Sequence, residues 1–374
     1  MLGYDLIVVG AGMTGATFAR VKAEQYHARV LVIDQRRHIG GNCYDRYERG
    51  FGLVHMYGPH LFHTNSEKIV NFLSRFTDWV PYEHRVQVEV HGERHPMPVN
   101  METIERLFPS HIADSMLATL TEVCNVGDTL SLMELKQMTE QFSNLVPLYQ
   151  IVFEKIFRPY SEKQWGTSID RVDETVLKRV PLRLSYDSRY FTDRFQALPG
   201  EGYTEMFSNM LDHPNIHVMT GTPWSAIERF WSPQDTQVFW TGSIDQLLDY
   251  KFGPLPYRSL TFSHVSGPAL PVGTVNMPMD VHYTRVTDQS FINTHPVRDT
   301  HLLTYETPMD YDHTNPDHVP YYPVAAGKHR YEQYVAEAEA GDLPYIFGGR
   351  LGSFQYLNMD QACAQALNLA GYKE

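Results

Sequence analysis

The sequence predicts an α/β protein with a doubly wound nucleotide-binding domain, discontinuous along the chain, a helical insertion domain and an antiparallel β-sheet domain. Three observations carry this reading. Residues 4–34 run strand, glycine-rich turn, helix, strand. The stretch from about 101 to 174 carries apolar residues at threes and fours, the spacing of helices. From about 178 to 324 apolar and polar residues alternate with the two-residue period of strands. At 374 residues the chain is too long for one ordinary core.

The N-terminal element is "YDLIVVGAGMTGATFARVKAEQ". An apolar strand, Leu6 to Val9, enters Gly10, Gly12 and Gly15 and then a helix; "ARVLVID" is the next strand and ends at Asp34. Gly10 permits the tight turn, Gly12 lets a pyrophosphate approach the backbone, and Gly15 lets helix and strand pack closely. The helix start offers N–H groups and a favourable dipole to an anion. Asp34, about twenty residues after the glycines, can accept a ribose hydroxyl. Strand, glycines, helix, strand and acid in this order predict a Rossmann-type dinucleotide site. The double glycine Gly40-Gly41 in "RRHIGGNCYD" is similar to the signature of the large FAD family that includes amine oxidases, which selects FAD over NAD. Near the other end, "LPYIFGGRLGSFQYLNMDQACAQALNLA" reads as a strand (345–347), a glycine pair, a polar loop and a helix with Asp360 in its first turn. In the FAD family such a helix points its positive end at the flavin.

Between these ends, "TDWVPYEHRVQVEVHGERHPMPVN" alternates around a His-Gly turn and predicts a β-hairpin. "SHIADSMLATLTEVC", "SLMELKQMTEQF" and "LVPLYQIVFEKIF" predict successive helices, interrupted at boundaries such as Pro109. "YRSLTFSHV", "DVHYTRVT", "SFINTHPV" and "HLLTYETP" predict a largely antiparallel sheet. The expected division is 1–78 with about 195–245 and 325–374 for the FAD-binding domain. Residues 99–180 form the helical domain of this expected division. Residues 79–98, 181–194 and 246–324 form the sheet domain.

Net charge is −13 with His neutral, which argues against nucleic acid and anionic membranes as partners. A small anionic substrate remains compatible, because screening over about 8 Å lets two pocket arginines outweigh distant carboxylates. Three widely spaced cysteines (Cys43, Cys124, Cys363) and no CxxC or HExxH spacing predict a reducing compartment, no disulfide framework and no metal. The first strand begins within a few residues of Met1, so no signal peptide is expected. No apolar run approaches the roughly 18 residues of a membrane span. A soluble, cytoplasmic protein is the expectation.

Two segments suggest chemistry. "VHMYGPHLFHTNSEK" places His55, His60 and His63 ahead of a helix that Asn65 or Ser66 could cap. A histidine against the flavin ring fits better than a metal site, since the three histidines lack a carboxylate partner and a flavin already accounts for the chemistry. "TVLKRVPLRLSYDSRYFTDRF" brings Arg179, Arg183, Arg189, Tyr186 and Tyr190, and "HYTRVTDQSF" sets Arg285 in an apolar-aromatic strand. A buried guanidinium needs a partner. Two arginines facing a cleft would grip a diphosphate; buried ion pairs to Asp or Glu are the other reading.

These residues resemble bacterial UDP-galactopyranose mutases along nearly the whole chain. The resemblance runs through "VVGAGMTGA", "VIDQRRHIGGNCYD", "HMYGPHLFHT", "YSEKQWG", "LKRVPLR", "DSRYFTDRFQALPGEGYTEM", "YTRVT", "VPYYPV" and "GRLGSFQYLNMDQ". The KQWG and GPHxFHT segments are the specific ones. The resemblance implies an isomerase that interconverts UDP-galactopyranose and UDP-galactofuranose without net redox change. Its FAD must be reduced, with NADPH or NADH as reductant, and the reduced flavin attacks the anomeric carbon. It implies that Arg179 and Arg285 clamp the diphosphate and that His63 lies near the flavin ring; these three form the catalytic set. Trp165 rides on the mobile loop, Tyr160 flanks the uracil, and Phe157 and Gln164 stand nearby. Tyr190, Tyr322 and Tyr356 bond the diphosphate, and Asn276 touches nucleotide or sugar. The cofactor set implied is Gly10, Gly12, Met13, Thr14, Gly15, Asp34, Gln35, Gly41, Asn42, His60, Leu61, Gly349, Arg350, Tyr356, Asn358 and Met359. A homodimer is the implied assembly.

Two positions depart from the family pattern. Asn358 stands where Asp is frequent, and His84 stands where many members carry Asn. If both face the sugar, another nucleotide sugar, such as UDP-N-acetylgalactopyranose, becomes an alternative substrate. A redox flavoenzyme of the amine-oxidase type is a further alternative, against which the KQWG loop and the paired arginines argue.

Overall fold

The computed structural model of the chain describes residues 3–171, 182–297, 299–341 and 344–374. Arg179 lies outside the described residues.

A five-stranded parallel sheet takes its strands from both ends and the middle of the chain. Its order is Ile216–Thr220, Val30–Asp34, Leu6–Val9, Gln237–Trp240, Tyr345–Phe347. Parallel strands are covered on both faces, which is why these read as nearly unbroken apolar runs. Alternate residues divide between two cores. Leu6, Val8, Val30, Val32 and Phe239 face the first helix (Met13–Tyr26) and the terminal helix (Met359–Ala370). Ile7, Leu31, Ile33 and Val238 face Trp224 and Trp240 on the other side. Phe18 of the first helix stacks on Phe239 at 3.8 Å.

The second sheet has seven strands in the order Tyr322–Pro323, Tyr257–Ser266, Leu302–Asp310, Arg285–Asp288, Thr274–Asn276, Val86–Val90, Glu93–Met97. All neighbours are antiparallel except Thr274–Asn276 beside Val86–Val90. The expected hairpin turns at His91 (φ 53°) and Gly92 (φ 81°), the left-handed pair that a two-residue turn requires. Register aligns Val88, Asn276, Arg285, Glu306 and Phe262 as one row across five strands. Directly opposed residues share a face, so these side chains emerge together. A third, three-stranded sheet joins Phe62–Thr64, Phe195–Pro199 and Trp79–Pro81.

The helical region follows the expected boundaries locally. Asn100 and Thr103 form a capping box at Met101–Leu107, as do Ser131 and Glu134 at Leu132–Gln141. Pro109 precedes Ser110–Val123. The last helical run enters as Val146–Ile151, widens into a π-helical turn at Val152–Phe157 and resumes as Arg158–Trp165. Gly166 (φ 65°) ends it in the left-handed conformation that favours glycine. Among the described residues no helix is long and apolar enough to cross a membrane.

Candidate functional site

Three segments distant in sequence meet at the first glycine-rich turn. A side chain at Gly15 would collide with the Gly10 carbonyl, which is the close helix–strand approach expected there. Gly12 and Gly41 face each other across the turn: a Cβ built on Gly41 would lie 2.9 Å from the Gly12 Cα. Gly349 (φ 77°) closes the third side. Its N–H donates to Gln365 Oε1 at 2.7 Å, and its Cβ position lies 3.2 Å from Thr14 Oγ1. Met13 and Thr14 are buried in the first turn of the helix. Asp34 accepts the Ala11 N–H through one carboxylate oxygen and the Arg36 N–H through the other, both at 2.9 Å. These bonds fix the acid at the end of its strand, with lone pairs remaining for a ribose hydroxyl. Gln35 beside it is exposed. Arg36 donates to Asn42 Oδ1 at 3.0 Å and lies over the Tyr57 ring. A backbone channel bare of side chains, ending on a helix N-terminus, fits the pyrophosphate of FAD.

The loop 58–63 runs between this cradle and the seven-stranded sheet. His60 donates its backbone N–H to His55 Nδ1 at 3.1 Å, and its ring Nδ1 meets the Gly58 carbonyl at 3.0 Å. Burial pushes the proton affinity of His60 down to about 3 and that of His55 to about 4. Leu61 is half-buried. His63 stacks on Phe191 (3.6 Å, 14°) and its Nδ1 meets Asp193 Oδ2 at 2.7 Å. Asn65, one of the two candidate caps, instead donates to the other oxygen of Asp193, and Ser66 takes the cap position without a side-chain bond. Thr64 donates to Asp360 Oδ2 at 3.0 Å in the first turn of the terminal helix. Asn358 is the exposed N-cap of that helix; its N–H donates to Gln361 Oε1 at 2.9 Å. Met359 contacts Cys43, sulfur to sulfur, at 3.5 Å.

A basic, aromatic cleft lies beside this loop. Arg285 Nε and Nη2 donate to Glu306 Oε2 at 2.9 and 2.8 Å. Glu306 is 2% exposed. The Arg285 side chain keeps 32% of its surface open. Burial works against the guanidinium charge, but the Glu306 carboxylate outweighs it and the proton is held more tightly than in a free arginine. Arg285 is therefore ion-paired, as the second reading has it, with part of its side chain left open to solvent. Asn276, cross-strand partner of Arg285, is nearly buried. Tyr160, Tyr190 and Tyr322 all have their phenols held protonated by burial, and Arg285 lies close to the first two. Arg183 places Tyr190 by donating to the carbonyls of Arg189 and Tyr190. Arg189 itself pairs with Asp187 and Glu83 at the surface. His84 is 3% exposed. Its Nδ1 meets the Tyr82 hydroxyl at 2.8 Å. Burial and the nearby Arg285 push its proton affinity down to about 3.

The KQWG turn docks on the edge of the same cleft. Lys163 donates to the carbonyls of Met277 (2.7 Å) and Tyr283 (3.2 Å). Gln164 Nε2 donates to the Tyr322 hydroxyl, which in turn donates to the Gln164 carbonyl, both at 2.7 Å. Arg258 Nε donates to that carbonyl at 3.1 Å and pairs with Asp310. Trp165 meets Tyr322 edge-on at 5.0 Å and lies 6.5 Å from Tyr356. Arg350 sits over Tyr356 (4.9 Å) and Tyr321 (5.5 Å). Gln164 Oε1 is buried and has no hydrogen-bond partner among the described residues. Phe157, expected near the uracil-flanking Tyr160, is packed in the helical core at 3% exposure, a cluster against which Tyr190 also packs. The π-helical turn that contains it shifts the phase of the face that follows.

Sequence reasoning named most of this cleft but not Glu306, Asp193, Phe191 or Arg258. Each is a partner across strands or segments, and no local spacing marks such a partner.

A Rossmann-type dinucleotide cradle opening onto an arginine- and tyrosine-lined cleft defines a nucleotide-cofactor enzyme with a small anionic substrate. A Rossmann-like NAD(P)-binding domain description matches residues 8–76, and the UDP-galactopyranose mutase description matches residues 155–356, more than half the chain. The chain belongs to the UDP-galactopyranose mutase family. The UDP-galactopyranose mutase of Mycoplasma pneumoniae is 34% identical, the alignment covering 97% of this chain and 94% of that one. The dTDP-fucopyranose mutase of Escherichia coli is also 34% identical, over 98% and 97%. A reduced UDP-galactopyranose mutase crystal structure superposes at a TM-score of 0.66 with 15% identity, covering 100% and 94%, a likeness of fold. The chain is accordingly a flavoenzyme isomerase.

Proposed function

We propose that this enzyme interconverts UDP-galactopyranose and UDP-galactofuranose on reduced FAD, with NADPH or NADH as the source of electrons. One observation carries the reading. The cleft beside the flavin cradle is built to grip an anion and a flat base, with Arg285, Tyr160, Tyr190, Tyr322, Tyr356 and Trp165 converging, while His60 and His84 have proton affinities of about 3. Histidines of that kind are weak bases at neutral pH, so the site is poor in proton-abstracting power and rich in binding power. Bound and reduced, the flavin would supply the nucleophile for the anomeric carbon.

The chain's own residues do the rest. Gly10, Gly12, Gly15, Gly41 and Gly349 let the backbone approach the cofactor pyrophosphate; Asp34 takes a ribose hydroxyl. Arg285 binds the substrate diphosphate and stabilises UDP as it departs, joined by Arg179. Tyr190 and Tyr356 donate hydrogen bonds to phosphate oxygens, and Tyr322 joins them when its hydroxyl hydrogen turns from the Gln164 carbonyl to the substrate. Tyr160 flanks the uracil, and Trp165 excludes water when the KQWG turn is docked. His63, oriented by Asp193, lies against the flavin ring. The discontinuous domain division set out from sequence accounts for this placement of cradle and cleft.

A second reading is a mutase for another nucleotide sugar. It is favoured by the buried His84 beside Arg285 and by a relative named for dTDP-fucopyranose. The deciding experiment offers UDP-galactofuranose, UDP-N-acetylgalactopyranose and dTDP-fucopyranose to dithionite-reduced and to oxidised enzyme, with products separated by chromatography. Ring interconversion only in the reduced state, fastest for the galactose pair, is expected. Turnover by oxidised enzyme, or electron transfer stoichiometric with substrate, would overturn the mutase reading. Arg285→Ala and Arg179→Ala should each abolish turnover.

A further inference from the structure

We propose that Glu306 is a positioning residue of this cleft, which fixes the guanidinium of Arg285 for catalysis and, through its charge, limits the affinity for UDP so that the nucleotide exchanges. The inference rests on the diphosphate reading of the cleft given above. Glu306 takes the Nε and Nη2 side of the guanidinium at 2.9 and 2.8 Å. That leaves the end of the fork for a ligand, and the head is partly open toward the cleft. The register makes the pairing obligatory: Arg285 and Glu306 are directly opposed on adjacent strands. The pair is also held from above. A Cβ built on Gly58 would lie 3.0 Å from Glu306 Oε2 and 2.8 Å from the Phe262 ring. The loop that carries His60 is therefore pressed directly onto Glu306, so the carboxylate links the flavin-side loop to the diphosphate arginine.

A carboxylate in this position does two opposed things. Its geometry holds Arg285 through two N–H groups on one carboxylate oxygen and removes the rotamer search from the reacting complex. Its charge leaves the pair near neutral, and a bound diphosphate brings further negative charge to within a few ångströms of it. Like charges in a partly desolvated cleft repel strongly. The reaction needs UDP to separate from the sugar and to return, and a cleft that held UDP too firmly would stall.

Glu306→Gln separates the two effects, because the amide oxygen can still accept from Arg285 while the charge is gone; Glu306→Ala removes both. The measurements are UDP titration of the holoenzyme by tryptophan and flavin fluorescence, and kcat and KM on UDP-galactofuranose with reduced enzyme. Glu306→Gln should bind UDP at least fivefold more tightly, lower KM and keep kcat within about tenfold of the parent. Glu306→Ala should lose at least tenfold more kcat than Glu306→Gln. Unchanged or weakened UDP binding in Glu306→Gln would overturn the proposal, and so would equal kcat losses in the two variants. A purely structural glutamate gives no tightening. If Glu306→Ala fails to fold, the UDP affinity of the near-isosteric Gln variant decides alone. Parent enzyme that binds no UDP would instead sink the reading of the cleft.

Discussion

At the residue scale the buried histidines give the molecule a characteristic acid response. His55 and His84 are almost fully buried, with proton affinities pushed to about 4 and about 3 by that burial. In the unfolded chain both titrate near 6.5. The folded affinities are depressed, so the unfolded state binds more protons below 6.5, and stability falls as pH drops from there toward the folded values. Each group contributes a slope of up to about 1.4 kcal/mol per pH unit in that window. Denaturant midpoints measured from pH 7 to 4 should therefore decline well before the carboxylates titrate, and His84→Gln should flatten part of the decline, His55 and the similarly depressed His60 carrying the rest. Unaltered slopes in that variant would mean His84 is protonated in the native state. His84 was legible as an unusual residue from its sequence context. Its neutrality was not, because burial beside Arg285 is a property of the assembled cleft.

At the scale of elements, the KQWG turn is held by backbone carbonyls rather than by its own apolar face. Lys163, Arg258 and Tyr322 all bond carbonyl groups of the turn or of the strand loop beneath it. Gly166 is part of this seat. A methyl group there would collide with the Arg258 guanidinium, on a backbone already at φ 65°. Gly166→Ala should cost about 1–2 kcal/mol locally, combining the left-handed strain with loss of the Arg258 contact. Hydrogen exchange over residues 158–168 should rise while the parallel sheet is unaffected. Faster exchange spread over the whole chain would show that the turn is not an independent latch. The helices were legible because apolar spacing and proline boundaries are local signals, but their caps were not: the expected Asn65 or Ser66 cap makes no side-chain bond to its helix, and the boxes at Asn100 and Ser131 emerge only in the structure. The hairpin at His91-Gly92 was legible from a local signal as well. The π-helical turn at Val152–Phe157 was not: it changes which of the following residues share a face, and no periodicity count foresees it. The Arg285–Glu306 pair was half visible, since the sequence demanded a partner for the arginine but only strand register names it.

For the whole molecule, the flavin cradle couples cofactor to global stability. Its walls come from the first turn, the Gly40-Gly41 loop and Gly349, so a ligand bound to all three ties the ends of the chain together. Cofactor at about 100 times its Kd should add about 2.7 kcal/mol. Melting curves of flavin-stripped and reconstituted protein should differ by several degrees, and Gly349→Val should melt like the stripped form and purify without yellow colour. Equal melting temperatures with and without flavin would show that the three walls stand unaided. The same closure has a consequence for synthesis. Residues 10–15 leave the ribosome well before their partner at 349 and the helix that packs on them, which come some 330 residues later. A nascent chain can make the first strands and still have no place for flavin. Cofactor capture is thus deferred until the segment from Gly349 through the Met359–Ala370 helix has been made, and the colour of the protein certifies that this segment has closed on the first turn.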